Sequence, residues 1–161
     1  MPNEPQATRV RQELRQALVV GLAPGRDVFY AWPSDQIRWG IPARVEMSGV
    51  YIRPMPDLDP DFPRALGRTV RQRMALDFEI AVLVHAQGMQ HVGGVADPYE
   101  ARERAGADIV RTLGYARSLD CTVDDLEFLS LSYGSSELDI VQGIETLFMA
   151  RALYRAVFLG P

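Results

Sequence analysis

The chain has 161 residues, enough for one domain with its own core, and an apolar fraction of 47% typical of globular proteins. Its net charge of −4 comes without any basic tract, which argues against dedicated nucleic-acid binding. No run of eighteen apolar residues exists, so no membrane span is expected. A polar N-terminus (MPNEPQATRVRQEL) without an apolar stretch does not read as a signal peptide. The lone Cys121 leaves no partner for an intrachain disulfide or a cysteine metal site and reads as a buried small residue. All 17 basic residues are arginine, which fits either a GC-rich genome or arginine-rich interfaces.

Residues 6–22 read as an amphipathic helix, with Val10, Leu14, Leu18 and Leu22 recurring every fourth position and Pro24-Gly25 ending it. Asp27–Trp32 (DVFYAW) reads as a short strand closed by Pro33, and 33–42 as a loop carrying Trp39. Residues 43–53 read as a strand with Gly49 marking a bulge. The stretch 54–67 (PMPDLDPDFPRALG) holds four prolines, which forbids a central strand and predicts a long loop at the tip of a hairpin.

The most informative segment is 68–87. Val70, Met74, Leu76, Phe78, Ile80, Val82, Val84 and Ala86 alternate with Arg71, Arg73, Asp77, Glu79, His85 and Gln87, predicting a strand with one buried and one wet face. The seventeen residues from Val70 to Ala86 would span roughly 55 Å at about 3.3 Å each. A domain of this length has a radius of gyration of about 15 Å. The strand must therefore bend or project. Arg68 to Met74, with the loop 54–67, is expected to reach a neighbouring copy, and Leu76 to Ala86 to lie in the core.

Residues 88–96 read as a flexible turn. Asp97-Pro98-Tyr99-Glu100 announces a helix over 98–117: Asp97 caps it, Pro98 suits the first turn, and Glu100 is placed for a capping box. Ala101, Ala105, Ile109 and Leu113 form its narrow apolar stripe, and Gly114 weakens its end. Residues 124–133 read as a strand with Leu126 and Phe128 inward and Leu129 and Leu131 as further inward candidates, Gly134-Ser135-Ser136 as a turn, and 137–143 as a short strand. In 146–159, residue propensity favours a helix, while alternation favours a strand covered on both faces; the alternation is the stronger signal. The sum is an α+β class chain, one domain over 1–161, with an antiparallel sheet, helices packed on one face and a long projecting β-hairpin at about 43–87.

No catalytic constellation emerges. His85 and His91 flank a glycine-containing turn without further ligands at metal spacing. The GLAPG segment at 21–25 lacks the lysine and hydroxyl of a phosphate loop, and the serines of 133–136 fit turn chemistry. Asp124, Asp125 and Glu127 lack an acid–base partner. Asp57, Asp59 and Asp61 are too few for a calcium site. Beside Leu58 and Phe62 they read as either a solvated loop or a docking loop with apolar anchors. Arg151 and Arg155 share a face. They read as interface residues or as intrachain ion pairs, with Glu145 or Asp139 as candidate partners, in preference to a pore lining. No cofactor, no metal and no enzymatic activity are expected.

Taken in order, RVRQELRQAL, DVFYAW, FEIAVLVHAQG, the glycine turn, DPYEARERAGADIVRTL and ALYRAVFL resemble the tail terminator (tail completion) proteins of long-tailed bacteriophages. The resemblance covers nearly the whole chain and rests on order and texture. Loop 54–67 and strand 68–87 depart from it by their length. It implies a structural virion assembly protein. Such a protein forms a homo-oligomeric, hexameric ring that caps the tail tube, ends its polymerisation and joins it to the head connector. The implied partners are the major tail tube protein and the head–tail connector protein, at the tail–neck junction of the virion. An acidic lumen would pass DNA without specific binding, because phosphates are repelled. The interface is expected to use Leu58, Asp59, Asp61, Phe62, Arg64, Arg68, Arg71, Arg73, Arg151 and Arg155. Two alternatives stand: another neck or tail tube component, and a small-molecule-binding α+β domain or enzyme.

Overall fold

The computed structural model describes residues 6–40, 48–55, 73–85, 97–120, 122–140 and 143–159. Along the chain these form α1 (Gln6–Gly21), a 3₁₀ turn (Ser34–Gln36), β1 (Ile37–Trp39), β2 (Gly49–Pro54), β3 (Arg73–His85), α2 (Pro98–Gly114), β4 (Asp125–Ile140) and β5 (Gly143–Leu159). The five strands make one sheet in the order β1-β2-β3-β5-β4. The class is α+β. The sheet is mixed rather than antiparallel throughout, because β1 runs parallel to β2 (Ile37↔Val50, Trp39↔Ile52). With only Ile37, Arg38 and Trp39, β1 is too short to carry a period of its own, and the sequence placed Trp39 in a loop.

The α1 stripe folds as expected: Val10, Leu14 and Leu18 are buried, and Leu22 is buried just beyond the helix. The DVFYAW segment is not a strand. Tyr30 and Trp32 are buried, but their backbone donors leave the sheet. Phe29 N and Tyr30 N donate to the Asp108 carboxylate at 2.9 Å each, and Trp32 N donates to Leu22 O at 2.8 Å. Backbone donors must find partners somewhere; here a helix side chain and a helix end supply them.

β2 pairs antiparallel with β3, with Gly49 opposite Leu83 in a continuous register rather than at a bulge. β3 pairs with β5 from Arg73↔Leu159 to His85↔Leu147. The backbone of Arg73 and Met74, expected to reach a neighbouring copy, is instead paired within its own chain's sheet, and Arg68 to Gln72 lie outside the described residues. Even residues Phe78, Ile80, Val82 and Val84 join the α1 and α2 stripes in one hydrophobic cluster. The odd face is not wet as expected. Asp77, Glu79, Ala81 and Leu83 are all buried; Ala81 and Leu83 cluster with Tyr51 and Met149.

Asp97 caps α2, its Oδ1 accepting from Tyr99 N at 2.9 Å. Glu100 pairs with Arg104 one turn on instead of closing a capping box. The helix stops at Gly114, three residues short of the expected end. Ala101, Ala105, Ile109 and Leu113 are buried. A Cβ at Gly106 would lie 3.1 Å from Ala150 Cβ, so helix and β5 meet through their smallest residues. β5 is a strand, with Phe148, Ala150, Ala152, Tyr154, Ala156 and Phe158 in the main cluster. β4 pairs with it from Asp125↔Val157 to Ile140↔Gly143, with an irregularity between Phe128 and Ser130. Leu126 is buried as expected, while Phe128 is half exposed. Gly134-Ser135-Ser136 continue the ladder opposite Met149, Phe148 and Leu147; they are not a turn, because β5 supplies partners through this segment. Most of loop 54–67, the segments 68–72 and 88–96, His91 and Cys121 lie outside the described residues.

Candidate functional site

Two strands of register place opposite charges across from one another on the odd face of the sheet. Asp77 lies opposite Arg155, and Arg53 opposite Glu79. Cross-strand neighbours of this kind stand about 4.5–5.5 Å apart at Cβ, within easy reach of an ion pair. Arg155 grips Asp77 with two bonds, Nε to Oδ1 at 2.8 Å and Nη2 to Oδ2 at 3.1 Å. Glu79 Oε2 accepts from Arg53 Nη2 at 3.0 Å and from Arg151 Nη2 at 2.6 Å. The second of these is diagonal, since Arg151 lies opposite Ala81. The Glu79 side chain is fully buried, while Arg53 and Arg151 are 40% and 37% exposed. The acid thus sits beneath two arginine stems that reach to solvent.

Burial alone would raise the Glu79 carboxyl. Hydrogen bonds from Arg151 and Arg53, with their charge, outweigh burial and hold it below the ordinary carboxylate range. Both acids are held as ion-pair partners that brace β2, β3 and β5, while Glu79 Oε1 is buried without a hydrogen-bond partner among the described residues. Asp108 has the opposite balance. Burial pushes its carboxyl up, against the pull of the Phe29 and Tyr30 N–H groups. Among the described residues, no group of three or more His, Cys, Asp or Glu side chains could hold a metal ion, and no helix is long and apolar enough to cross a membrane.

Of the sequence-predicted interface residues, the structure brings Arg151 and Arg155 together on this face. The partners described for them are Glu79 and Asp77 on β3, the strand beside β5; the side chains of the expected partners Glu145 and Asp139 lie outside the described ones. Arg73 is placed by its backbone at the far end of the same ladder, opposite Leu159. Leu58, Asp59, Asp61, Phe62, Arg64, Arg68 and Arg71 lie outside the described residues. Asp77 and Glu79 were read only as polar members of an alternation. Their partners become visible once register is known.

Two further features lie near α2. The first is the outer edge of β4: among the described residues no strand pairs with it, and it exposes Phe128, Leu129 and Tyr133. Arg102 anchors α2 here, its guanidinium 5.5 Å from the Tyr133 ring and 5.0 Å from the Tyr99 ring, with Nη1 donating to Gly134 O at 2.9 Å. The second is a cleft of about 380 Å³ between the C-terminal ends of α1 and α2. It is lined by Ala17, Val20, Val28 and Ala116, with Arg26, Tyr115 and the Asp27–Arg111 ion pair beside them.

Compared with known proteins, the chain matches no family model and no curated protein.

Proposed function

We propose that this chain is a structural virion assembly protein of the tail terminator type. It forms a ring, with six copies as the count implied by the resemblance. The ring caps the tail tube, ends its growth and joins it to the head connector. In this reading both helices cover one face of the sheet, and the hairpin around 43–87, whose strands β2 and β3 lie inside the sheet, would reach neighbouring molecules only through its tip. DNA passes through the lumen without specific contacts, consistent with the net charge of −4.

The observation that carries the reading is the β4 edge. Sixteen residues of strand run along the border of the sheet, with three large apolar side chains exposed on it. The described β3–β5 register ends at His85↔Leu147, while β4 and β5 stay paired to Ile140↔Gly143. The β4–β5 hairpin therefore runs about four residue pairs, or roughly 13 Å, past that point. Long edges of this kind invite pairing and are normally blunted or covered. A subunit that works only inside an assembly supplies the cover from its neighbours.

The test is light scattering with electron microscopy of the purified protein, alone and with tail tubes. Closed rings of one size, or rings seated on tube ends, are expected. Filaments from the protein alone would instead identify a tube protein. A monomer at high concentration that also ignores tube ends refutes the proposal. The cleft keeps a small-molecule reading in play, since about 300–1,000 Å³ is the usual size of a ligand site. Strong thermal stabilisation by one member of a metabolite panel would favour it.

A further inference from the structure

The exposed apolar side chains Val20 and Tyr115 stand at one place, the cleft between the C-terminal ends of α1 and α2. One wall of this cleft is the segment after α1. Arg26 N donates to Ala23 O at 3.2 Å and Val28 N to Arg26 O at 2.9 Å, so 23–28 is a hydrogen-bonded turn. Gly25 takes a φ of +87° there, a conformation that glycine adopts without strain. Three contacts then fasten the turn and the residues after it to α2. Asp27 pairs with Arg111, and Phe29 N and Tyr30 N donate to the Asp108 carboxylate. The Asp27–Arg111 pair is thus a fastening, with both charges answered inside the chain. A wall held in this way is in place before any ligand arrives, as in most small-molecule sites.

Two polar side chains of the cleft are left over. Arg26 lines it, is exposed, and forms no ion pair or side-chain hydrogen bond among the described residues. Thr112 also lines it and is only 9% exposed, yet no hydrogen bond holds its hydroxyl among the described residues. Packing fixes the Thr112 side chain, because its methyl abuts Gly21, where a Cβ would collide with it. A nearly buried hydroxyl is normally answered by protein, water or ligand. Around these two groups the lining is apolar, from Ala17, Val20, Val28 and Ala116. Apolar walls with a few placed polar groups are the usual make-up of a ligand site.

We infer that the α1–α2 cleft binds a small monocarboxylate with an apolar body. The carboxylate takes the Arg26 guanidinium, the body lies along Val20, Val28 and the Tyr115 ring, and the Thr112 hydroxyl donates to an oxygen of the ligand. Two observations favour a carboxylate over a phosphate ester. The planar fork of one guanidinium matches the two oxygens of one carboxylate. With Asp27 and Arg111 paired to each other, Arg26 is the one cleft cation unanswered among the described residues, so a monoanion is neutralised and a dianion is not. The cleft volume of about 380 Å³ lies near the small end of ligand sites and suits a body of octanoate size. This site goes beyond the ring reading and asks only for the folded chain.

The experiment is titration calorimetry on the full chain with octanoate and phenylpropionate, set against octanol and octyl phosphate, with circular dichroism as the folding control. One carboxylate per chain is expected to bind saturably in the millimolar range or below. Octanol should bind at least about tenfold more weakly, since it lacks the charge-assisted bond. Arg26→Gln, at an exposed position, should erase that difference. Thr112→Val keeps a methyl against Gly21 and should weaken octanoate by about threefold to tenfold. Val20→Asp, at a position 44% exposed, sets an anion beside the ligand and should abolish binding. No saturable binding of either carboxylate at millimolar concentration would overturn the site. Equal affinities for octanoate and octanol, or an Arg26→Gln variant that binds octanoate as the wild type does, would overturn it as well. Tighter binding of octyl phosphate would overturn the carboxylate assignment and give the cleft to phosphate esters. None of these results bears on ring closure, which light scattering reports separately.

Discussion

Replacing Glu79 by Gln keeps the shape of the side chain and removes the charge that two arginines share. Severing a wholly buried pair costs about 3–5 kcal/mol, and an exposed pair is worth about 0–1 kcal/mol. Glu79 is wholly buried, but Arg53 and Arg151 are 40% and 37% exposed and can turn to water once released. The expected loss therefore falls between the two limits, at about 1–3 kcal/mol. For a chain of this size that lowers Tm by roughly 2–12 °C. The pH dependence gives a sharper test. The folded carboxyl is held below its ordinary value, so its contribution is present above the unfolded value of about 4.3 and fades as pH falls through the folded value. Thermal unfolding of wild type and Glu79→Gln should show a constant gap from about pH 5 upward that narrows in acid. Equal Tm values at pH 7, or a gap that widens as pH falls, would refute the ladder as a stabilising element.

Asp108→Ala should cost about 2–4 kcal/mol in urea unfolding, because it orphans the Phe29 and Tyr30 N–H groups. Its gap from wild type should move with pH in the opposite sense to that of Glu79. Burial raises the Asp108 carboxyl, so its contribution is present below the ordinary carboxylate range and lost as pH rises through the raised value. Gly106→Ala should lose about 1 kcal/mol despite better helix propensity, because its Cβ meets Ala150 Cβ at 3.1 Å on a strand that cannot swing aside; adding Ala150→Gly should restore the loss in the same assay. Tyr154→Phe should be neutral or stabilising by up to about 1 kcal/mol, since the Tyr154 hydroxyl is buried without a hydrogen-bond partner among the described residues. In the wild type, burial pushes that hydroxyl up to about 12, and the variant should lack the last step of an alkaline absorbance titration.

What was legible in the sequence was whatever announces itself locally. The fourfold stripe Val10–Leu14–Leu18 and the cap Asp97-Pro98 located both helices. The alternation of 146–159 overrode helix propensity and gave β5 its true form. What failed depended on distant partners. DVFYAW has strand composition, yet Asp108, 78 residues on from Tyr30, takes its donors. Gly134-Ser135-Ser136 has turn composition, yet β5 keeps it in the ladder. The charged site was half visible: Arg151 and Arg155 stood out as a pair, but their partners required knowing that β3 lies beside β5.

That pairing also bears on how the molecule is used. Arg151 and Arg155 are held by acids of their own chain, so recruiting them to a subunit boundary would leave Glu79 and Asp77 buried beside weakened partners. Such a trade is costly, because an uncompensated buried carboxylate is among the least tolerated groups in a fold. The α1–α2 cleft and the β4 edge ask for no such exchange. Leu129 and Tyr115 are exposed, and Arg26 and Glu127 are exposed beside them. A contact made through either patch would bury apolar surface while the ladder stays intact. The Glu79 and Asp77 ion pairs hold β2, β3 and β5 together within the chain. In the variants, the two roles should separate: Glu79→Gln should lower Tm and leave assembly unchanged, and Leu129→Asp should do the reverse.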